Sequence, residues 1–185
     1  MLNVVVDTNV IIDLAKKFET LGPNCETNDR FDLSRIFAMI ASGQIHLYTV
    51  PKVAQEVRRG SKKDGGKAER FMDKFCDHID LDKEEKTVAK QLAYDYGNII
   101  LCDKFPAINN AQNSDSKNFG DALIVAQISI AQPKMQEDLC LLTQNTKDVF
   151  DFQGINTVNE ENKLSRVLIY SKRSFFKMIE KEFTK

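Results

Sequence analysis

The chain has 185 residues, of which 42% are hydrophobic and 29% are charged, proportions typical of a globular domain. Its 27 acidic and 26 basic residues give a formal net charge of −1, so any contact with nucleic acid must use a local basic patch. The sequence has no stretch near the ~20 apolar residues of a membrane span and no basic leader, which predicts a cytoplasmic protein without membrane contact. Four cysteines without metal-ligand spacing are predicted to be buried free thiols: Cys25, Cys76, Cys102 and Cys140.

The first 60 residues predict two units in which a strand leads into a helix. The β-branched run 4–6 is typical of a buried strand, and it passes directly into Asp7-Thr8-Asn9, residue types that favour helix starts. A helix around 33–40 is expected to end at Gly43, since glycine commonly terminates helices. The run 45–50 predicts the second strand, and Pro51 suits the first turn of the helix that follows.

The rest of the chain continues the alternation of helices and strands. Residues 58–67 combine glycines with cations, which indicates a loop, and helical spacing around 71–79 and 88–99 predicts a helical insertion at about 61–117. Asp121 is expected to open an apolar helix. The remaining predicted elements are a strand at 139–142, a short strand at 155–158, and a strand and helix in the extension 161–185 of the same domain.

This alternation, with apolar strands, predicts an α/β fold whose parallel sheet is covered by helices on both faces. Ligand sites in such sheets lie beyond the carboxyl ends of the strands, where strand order reverses. Asp7 is predicted at such an end, and Glu56 and Asp121 are expected beside it. Crowded carboxylates repel one another unless a divalent cation neutralises them, and oxygen ligands select Mg²⁺ or Mn²⁺. A bound ion of this kind can activate water against a phosphodiester, which predicts a nuclease.

The sequence VVVDTNVIIDL at residues 4–14 resembles the opening of PIN-domain ribonucleases, many of which are VapC-type toxins. In that family a glutamate in the helix after the second strand and an aspartate that opens an apolar helix supply further acids. VAQEV around Glu56 and FGDALIVA around Asp121 match those positions. The resemblance implies a Rossmann-like PIN domain over residues 1–160 that hydrolyses RNA, with Asp7, Glu56 and Asp121 as catalytic metal ligands. It also implies a small antitoxin protein as partner, and a homodimer.

The family's last motif, a strand ending in threonine followed by two acids, is matched in part. Thr143 corresponds to the threonine, but Asn145 stands where the first acid is often found, and the spacing to Asp148 is one residue longer. Asn145 is a candidate for holding a metal-bound water or a phosphate, and Asp148 or Asp115 for supplying the missing carboxylate. The departure leaves two alternatives open: a module that binds RNA or protein without catalysis, and a metal-dependent nuclease that cuts DNA.

Each candidate residue also has an ordinary structural explanation. Asp7 and Asp121 are of the type that caps helices, a contact worth about 1 kcal/mol, and an isolated Glu56 would simply be solvated. Thr8 is expected to assist the reaction by orienting Asp7 or by contacting the scissile phosphate, although it could equally serve the turn. The densest basic stretch predicts RNA contacts, with a solvated charged loop as the alternative, and its leading candidates are Arg58, Arg59, Lys62 and Lys63.

Overall fold

A computed structural model describes residues 1–21, 29, 31–104, 117–135, 138–144 and 152–183 of the chain. These residues form an α/β fold around a parallel sheet of five strands in the order β3-β2-β1-β4-β5, which confirms the predicted fold class. The strands are β1 (Leu2–Val6), β2 (Ile45–Thr49), β3 (Cys76–His78), β4 (Leu139–Leu142) and β5 (Leu168–Tyr170).

Helices cover both faces of the sheet, and the two central strands are therefore buried almost completely. Residues 3–6 of β1 and all of β4 are buried. The helices are α1 (Thr8–Leu21), α2 (Arg35–Ala41), α3 (Pro51–Gly60), α4 (Lys67–Phe75), α5 (Lys83–Lys104), α6 (Lys117–Met135), α7 (Phe152–Glu161) and α8 (Lys172–Phe183). Helices α1, α3 and α4 pack against one another, and α5 packs against α6 and α7.

The strand order reverses at the centre of the sheet. The chain begins in β1, moves outward through β2 and β3, and then returns to add β4 and β5 on the other side of β1. The switch point at which α/β sheets bind ligands therefore lies between the carboxyl ends of β1 and β4. Val6 pairs with Leu142 there, and the Asp7 amide continues the ladder by donating to the Leu142 carbonyl over 3.0 Å.

Local backbone chemistry confirms two predicted boundaries. Gly43 follows α2 with φ of 68°, the left-handed conformation that glycine adopts without strain. Pro51 begins α3, where its missing N–H leaves no intrahelical bond unmade. Cys76 and Cys140 are buried free thiols, as predicted, and burial raises the pKa of each to about 12. Cys25 and Cys102 are outside the side chains that the structure describes.

Three sequence-based assignments are wrong. The segment 155–158, predicted as a strand, lies inside α7, because Ile155 and Val158 are buried at a helical spacing of three. Strand β3 lies where helical periodicity was predicted around residues 71–79. The apolar helix begins at Lys117, so Asp121 occupies its second turn. The boundaries at residue 160 and at about 61–117 stay predictions. Within the described residues, no helix has the length and apolar character that crossing a membrane requires.

A buried polar network joins the three helices that follow β3 and β4. The Tyr96 hydroxyl of α5 donates to Asn159 Oδ1 of α7 and lies 3.0 Å from Ser129 Oγ of α6. Asn159 Nδ2 donates to Ser129 Oγ over 3.1 Å and to the Ser165 carbonyl over 3.0 Å. Burial raises the Tyr96 pKa to about 12, so the phenol stays protonated as a donor. Asn159 therefore satisfies polar groups on three segments at once.

Replacing Asn159 by alanine should destabilise the chain, because the buried Tyr96 and Ser129 hydroxyls would each lose a hydrogen-bond partner. Leaving buried polar groups unsatisfied costs about 2–3 kcal/mol, which corresponds to a decrease of roughly 5–10 °C in Tm for a chain of this size. Thermal unfolding followed by circular dichroism measures the effect. Asn162→Ala, which removes an exposed side chain just beyond α7 together with one hydrogen bond to the Val158 carbonyl, is the control and should lower Tm less. Equal decreases in the two variants would contradict the importance of the network.

Candidate functional site

Asp7 is the centre of the candidate site. It follows β1 at the switch point, is 4% exposed, and begins α1 by accepting the first helical hydrogen bond from the Ile11 amide. Its carboxylate accepts two further bonds, from the Thr8 amide to Oδ1 over 2.6 Å and from Thr143 Oγ1 to Oδ2 over 2.8 Å. Asp7 therefore starts the helix through its carbonyl and also holds a fixed carboxylate at the sheet edge, and its role as a metal ligand stays a prediction.

Thr8 connects Asp7 to the second candidate acid. While its amide binds Asp7, its hydroxyl donates to Glu56 Oε2 over 2.6 Å, so one residue holds two carboxylates that are 49 positions apart in the chain. Thr8 was predicted to orient Asp7, which it contacts through its backbone amide, while its side chain contacts Glu56 instead; its part in a reaction stays a prediction. The isolated-surface explanation for Glu56 fails, because its side chain is partly buried in this contact.

Lys52 and Gln127 also belong to this site, and the sequence analysis missed both. Lys52 Nζ lies 3.1 Å from Glu56 Oε1, one helical turn along α3. The Lys52 amide donates to the buried Gln127 Oε1 over 2.9 Å, which satisfies the helix start in place of the side-chain cap that Val50 cannot provide. The Lys-x-x-x-Glu spacing was visible in the sequence, whereas the contact with α6 was not.

Gly120 lets α6 approach the Glu56 carboxylate closely. A Cβ atom at this position would lie 3.2 Å from Lys52 Cε and 3.3 Å from Glu56 Oε1, closer than ordinary van der Waals contact. Asp121 is the next residue of the same turn and is partly buried. The backbone of the third candidate acid therefore lies next to the second. Across the described ranges, however, no three His, Cys, Asp or Glu side chains are grouped as a metal site, so the ligand role of Asp121 stays a prediction.

Burial dominates the electrostatics of Asp7. Removal from water raises the pKa of its carboxyl above the usual value, and the nearby charge of Glu56 raises it further. The hydrogen bonds from Thr143 and Thr8 act in the opposite direction without cancelling the increase. The chain thus holds a carboxylate whose ionised form is disfavoured, a situation that a neighbouring cation would relieve.

The remaining predicted residues lie at two places. Asn145, Asp148 and Asp115 are outside the described residues, so their candidate roles stay predictions. The four cations predicted to contact RNA are all exposed at the end of α3 and in the turn after it. Two of them, Arg58 and Arg59, line an open groove, and Arg58 also lies 3.7 Å from Glu69 and 3.8 Å from Asp73. Contact of this stretch with RNA stays a prediction.

Asp7→Asn should stabilise the metal-free chain, and the gain in Tm should grow with pH. Because the folded pKa of Asp7 is above the unfolded one, the penalty for burying its charge is absent at low pH and appears as pH rises through the folded pKa. Asparagine can keep both contacts, with Oδ1 accepting from the Thr8 amide and Nδ2 donating to Thr143 Oγ1.

Thermal unfolding in EDTA between about pH 4 and about pH 8 tests this expectation. Each kcal/mol of added stability should raise Tm by about 2–4 °C. Asp138→Asn, at an exposed carboxylate before β4, serves as the control and should show little pH-dependent gain. A Tm difference for Asp7→Asn that is constant with pH, or that decreases as pH rises, would contradict the penalty.

Comparison with known proteins gives one structural similarity. No family model and no curated protein matches the chain. Among solved structures, the chain is similar to the crystal structure of VapBC2 from Rickettsia felis bound to a DNA fragment from their promoter. The two share 14% sequence identity and a TM-score of 0.46 over 92% of this chain and 98% of that chain.

Proposed function

We propose that the chain is a divalent-metal-dependent endoribonuclease in which Asp7, Glu56 and Asp121 hold Mg²⁺ or Mn²⁺. The observation that carries the proposal is the hydrogen-bonded series from Thr143 through Asp7 and Thr8 to Glu56, which fixes two carboxylates at the switch point of the sheet. Among the residues that the structure describes, no cation forms an ion pair with Asp7, and two acids held this way are better explained by a cation site than by helix capping alone. The likeness of residues 4–14 to PIN-domain ribonucleases supports RNA as the substrate.

The donor set fits such an ion. Asp7 Oδ1, Asp7 Oδ2 and Glu56 Oε2 each accept one hydrogen bond from the two threonines, and a carboxylate offers about four lone-pair sites in all. Each carboxylate therefore keeps acceptor capacity for a cation. Oxygen donors of this kind suit Mg²⁺ and Mn²⁺. When bound, the ion would supply electrostatic stabilisation of the phosphodiester and a more acidic water.

The surrounding residues of the chain position these acids. Thr143 and the Thr8 amide fix the Asp7 carboxylate, while the Thr8 hydroxyl and Lys52 fix the two oxygens of Glu56. The Lys52 ammonium is placed where a phosphate oxygen arriving beside Glu56 would meet a positive charge. Thr8 and Thr143 are thus positioning residues, and Asp7 and Glu56 are the proposed catalytic residues together with Asp121.

Lys52 also supports a second candidate function. Its ammonium lies 3.1 Å from Glu56 and partly neutralises that carboxylate without any metal. A chain in which lysine has taken over the cation's electrostatic role would bind RNA or protein and cut neither. Metal-dependent stabilisation separates the two functions, because an ion that binds the folded chain raises its Tm.

The biological role that we infer is that of the toxin in a toxin–antitoxin pair, which a small antitoxin protein would restrain by covering the cleft. This role and a homodimeric state rest on the sequence resemblance to VapC-type proteins. Expression in a bacterial host should arrest growth, and Asp121→Asn should relieve the arrest. Equal growth arrest by both proteins would count against a nuclease toxin.

Purified chain should cut RNA when Mg²⁺ or Mn²⁺ is present and should stop when EDTA is added. Asp7→Asn and Asp121→Asn should each slow cleavage by about 100-fold or more, because an electrostatic contribution of several kcal/mol to the transition state is lost. A mixed RNA and DNA panel, resolved on denaturing gels, measures the rates and tests the DNA-directed alternative. Mn²⁺ should also raise the Tm of the wild type more than that of Asp7→Asn. Folded protein that binds RNA, cuts nothing and gains no stability from metal would favour the binding module.

Thr8→Val should lower kcat by roughly tenfold, since it removes a hydrogen bond to the charged Glu56 while keeping the size of the side chain. Thr8→Ser restores the hydroxyl and should recover most of the rate. Both variants keep the Thr8 amide that binds Asp7. An unchanged kcat in Thr8→Val would show that the bond to Glu56 does not matter, and comparable losses in the Val and Ser variants would indicate a general disturbance of the site rather than the loss of that bond.

A further inference from the structure

Two hollows flank Asp7 along the carboxyl edge of the sheet. The strand order places the ends of β3 and β2 on one side of Asp7 and the ends of β4 and β5 on the other. On the first side, a groove of about 670 Å³ adjoins a smaller one of about 270 Å³, because both are lined by Pro51, Gln55 and Lys86. We call these together the β3-side hollow. On the second side, a groove of about 410 Å³ that includes Gln144 and Ser171 forms the β5-side hollow.

Both hollows are connected to the candidate catalytic centre. Lys52 lines the β3-side hollow and is paired with Glu56 over 3.1 Å. Gln144 lines the β5-side hollow and directly follows Thr143, which binds Asp7 over 2.8 Å. The two carboxylates therefore lie between the hollows.

Cations predominate in each hollow. Among the described lining residues, the β3-side hollow has five lysine and arginine side chains and one carboxylate, Asp80, and the β5-side hollow has three such cations and one carboxylate, Asp13. Five of these eight cations form no ion pair within the described part of the chain, although the Arg173 guanidinium lies over the Phe31 ring, 5.6 Å from its centroid. They are Arg59, Lys86, Lys90, Lys172 and Arg173.

The chemistry of the linings indicates what they bind. Among the described lining residues, neither hollow has a Phe, Tyr or Trp ring on which a base could stack. Lysine and arginine contacts without stacking recognise phosphates and carry little sequence information. A single strand is flexible enough to enter two separate hollows, whereas a duplex is stiff over lengths well below about 150 bp.

We propose that the carboxyl edge of the sheet is a track for single-stranded RNA, whose phosphates are held by the β3-side and β5-side hollows so that the strand crosses the acids and is cut internally. The proposal rests on the nuclease function for the position of the cut, while the binding itself is independent of catalysis. It assigns substrate contacts to Lys86, Lys90, Lys172 and Arg173, and it predicts binding that does not depend on base sequence.

The test measures binding of fluorescein-labelled oligo(U) by anisotropy in EDTA, where no cleavage occurs, over a series of salt concentrations. Lys86→Gln/Lys90→Gln alters one hollow and Lys172→Gln/Arg173→Gln alters the other. Each pair should weaken binding and make the slope of log K against log salt shallower by about 1.4, since each phosphate contact contributes about 0.7. Lys177→Gln/Lys181→Gln is the matched control, with the same charge change at the same spacing as the first pair, on exposed positions of α8.

Shallower slopes in both hollow variants and an unchanged slope in the control would support the track. An equal change in the control would overturn it, because net charge alone would then explain the binding. A shallower slope in only one of the two hollow variants would overturn the claim that the strand crosses the acids from one hollow to the other. If metal-dependent cleavage is lost in Asp121→Asn but the hollow variants bind normally, the track fails and the nuclease stands. If the slopes change as expected but no RNA is cut, the track stands and the nuclease fails.

Discussion

The site depends on the burial of one carboxylate, Asp7, at the end of the central strand. Ionising a group that is 4% exposed is costly, and the resulting increase in its pKa shows that the hydrogen bonds from Thr8 and Thr143 offset only part of the cost. The register of the sheet places these donors. Val6 pairs with Leu142, so the residues that follow, Asp7 and Thr143, emerge side by side at the switch point. The same ladder that stabilises the core therefore determines the geometry around the acid.

Glu56 reaches Asp7 through a different set of constraints. Pro51 begins α3, and Gln127 of α6 accepts a hydrogen bond from the first backbone N–H of that helix. Gly120 lets α6 approach within van der Waals contact of the Glu56 side chain. The consequence is that α6, which carries Asp121, and α3, which carries Glu56, are aligned by polar and steric contacts rather than by apolar packing alone. A shift of either helix would disturb the contacts that hold the Glu56 carboxylate.

The sequence predicted the central strand β1 and the start of α3, because both depend on neighbouring residues alone. The signals are the run of valines before Asp7 and the proline at position 51. Strand β3 was not predicted, because it is only three residues long and two of these residues are exposed. Its conformation is determined by pairing with β2 rather than by a local pattern. Residues 155–158 were misread because β-branched composition outweighed a helical spacing. The bond from Thr8 to Glu56 spans 48 residues, and no local pattern encodes it.

The positions of the charged residues in this chain matter more for RNA contact than their net charge. With 26 basic and 27 acidic residues, the chain has no net field with which to attract RNA from a distance. Several acids are paired away from the sheet edge, as in the contacts of Glu19 with Lys67 and Arg70. Because these acids are neutralised by their own partners, they do not repel phosphates that approach the cations of the two hollows. A nearly neutral chain that acts on RNA in this way would have to capture it at short range, within a Debye length of about 8 Å, which makes the local track more important than overall charge.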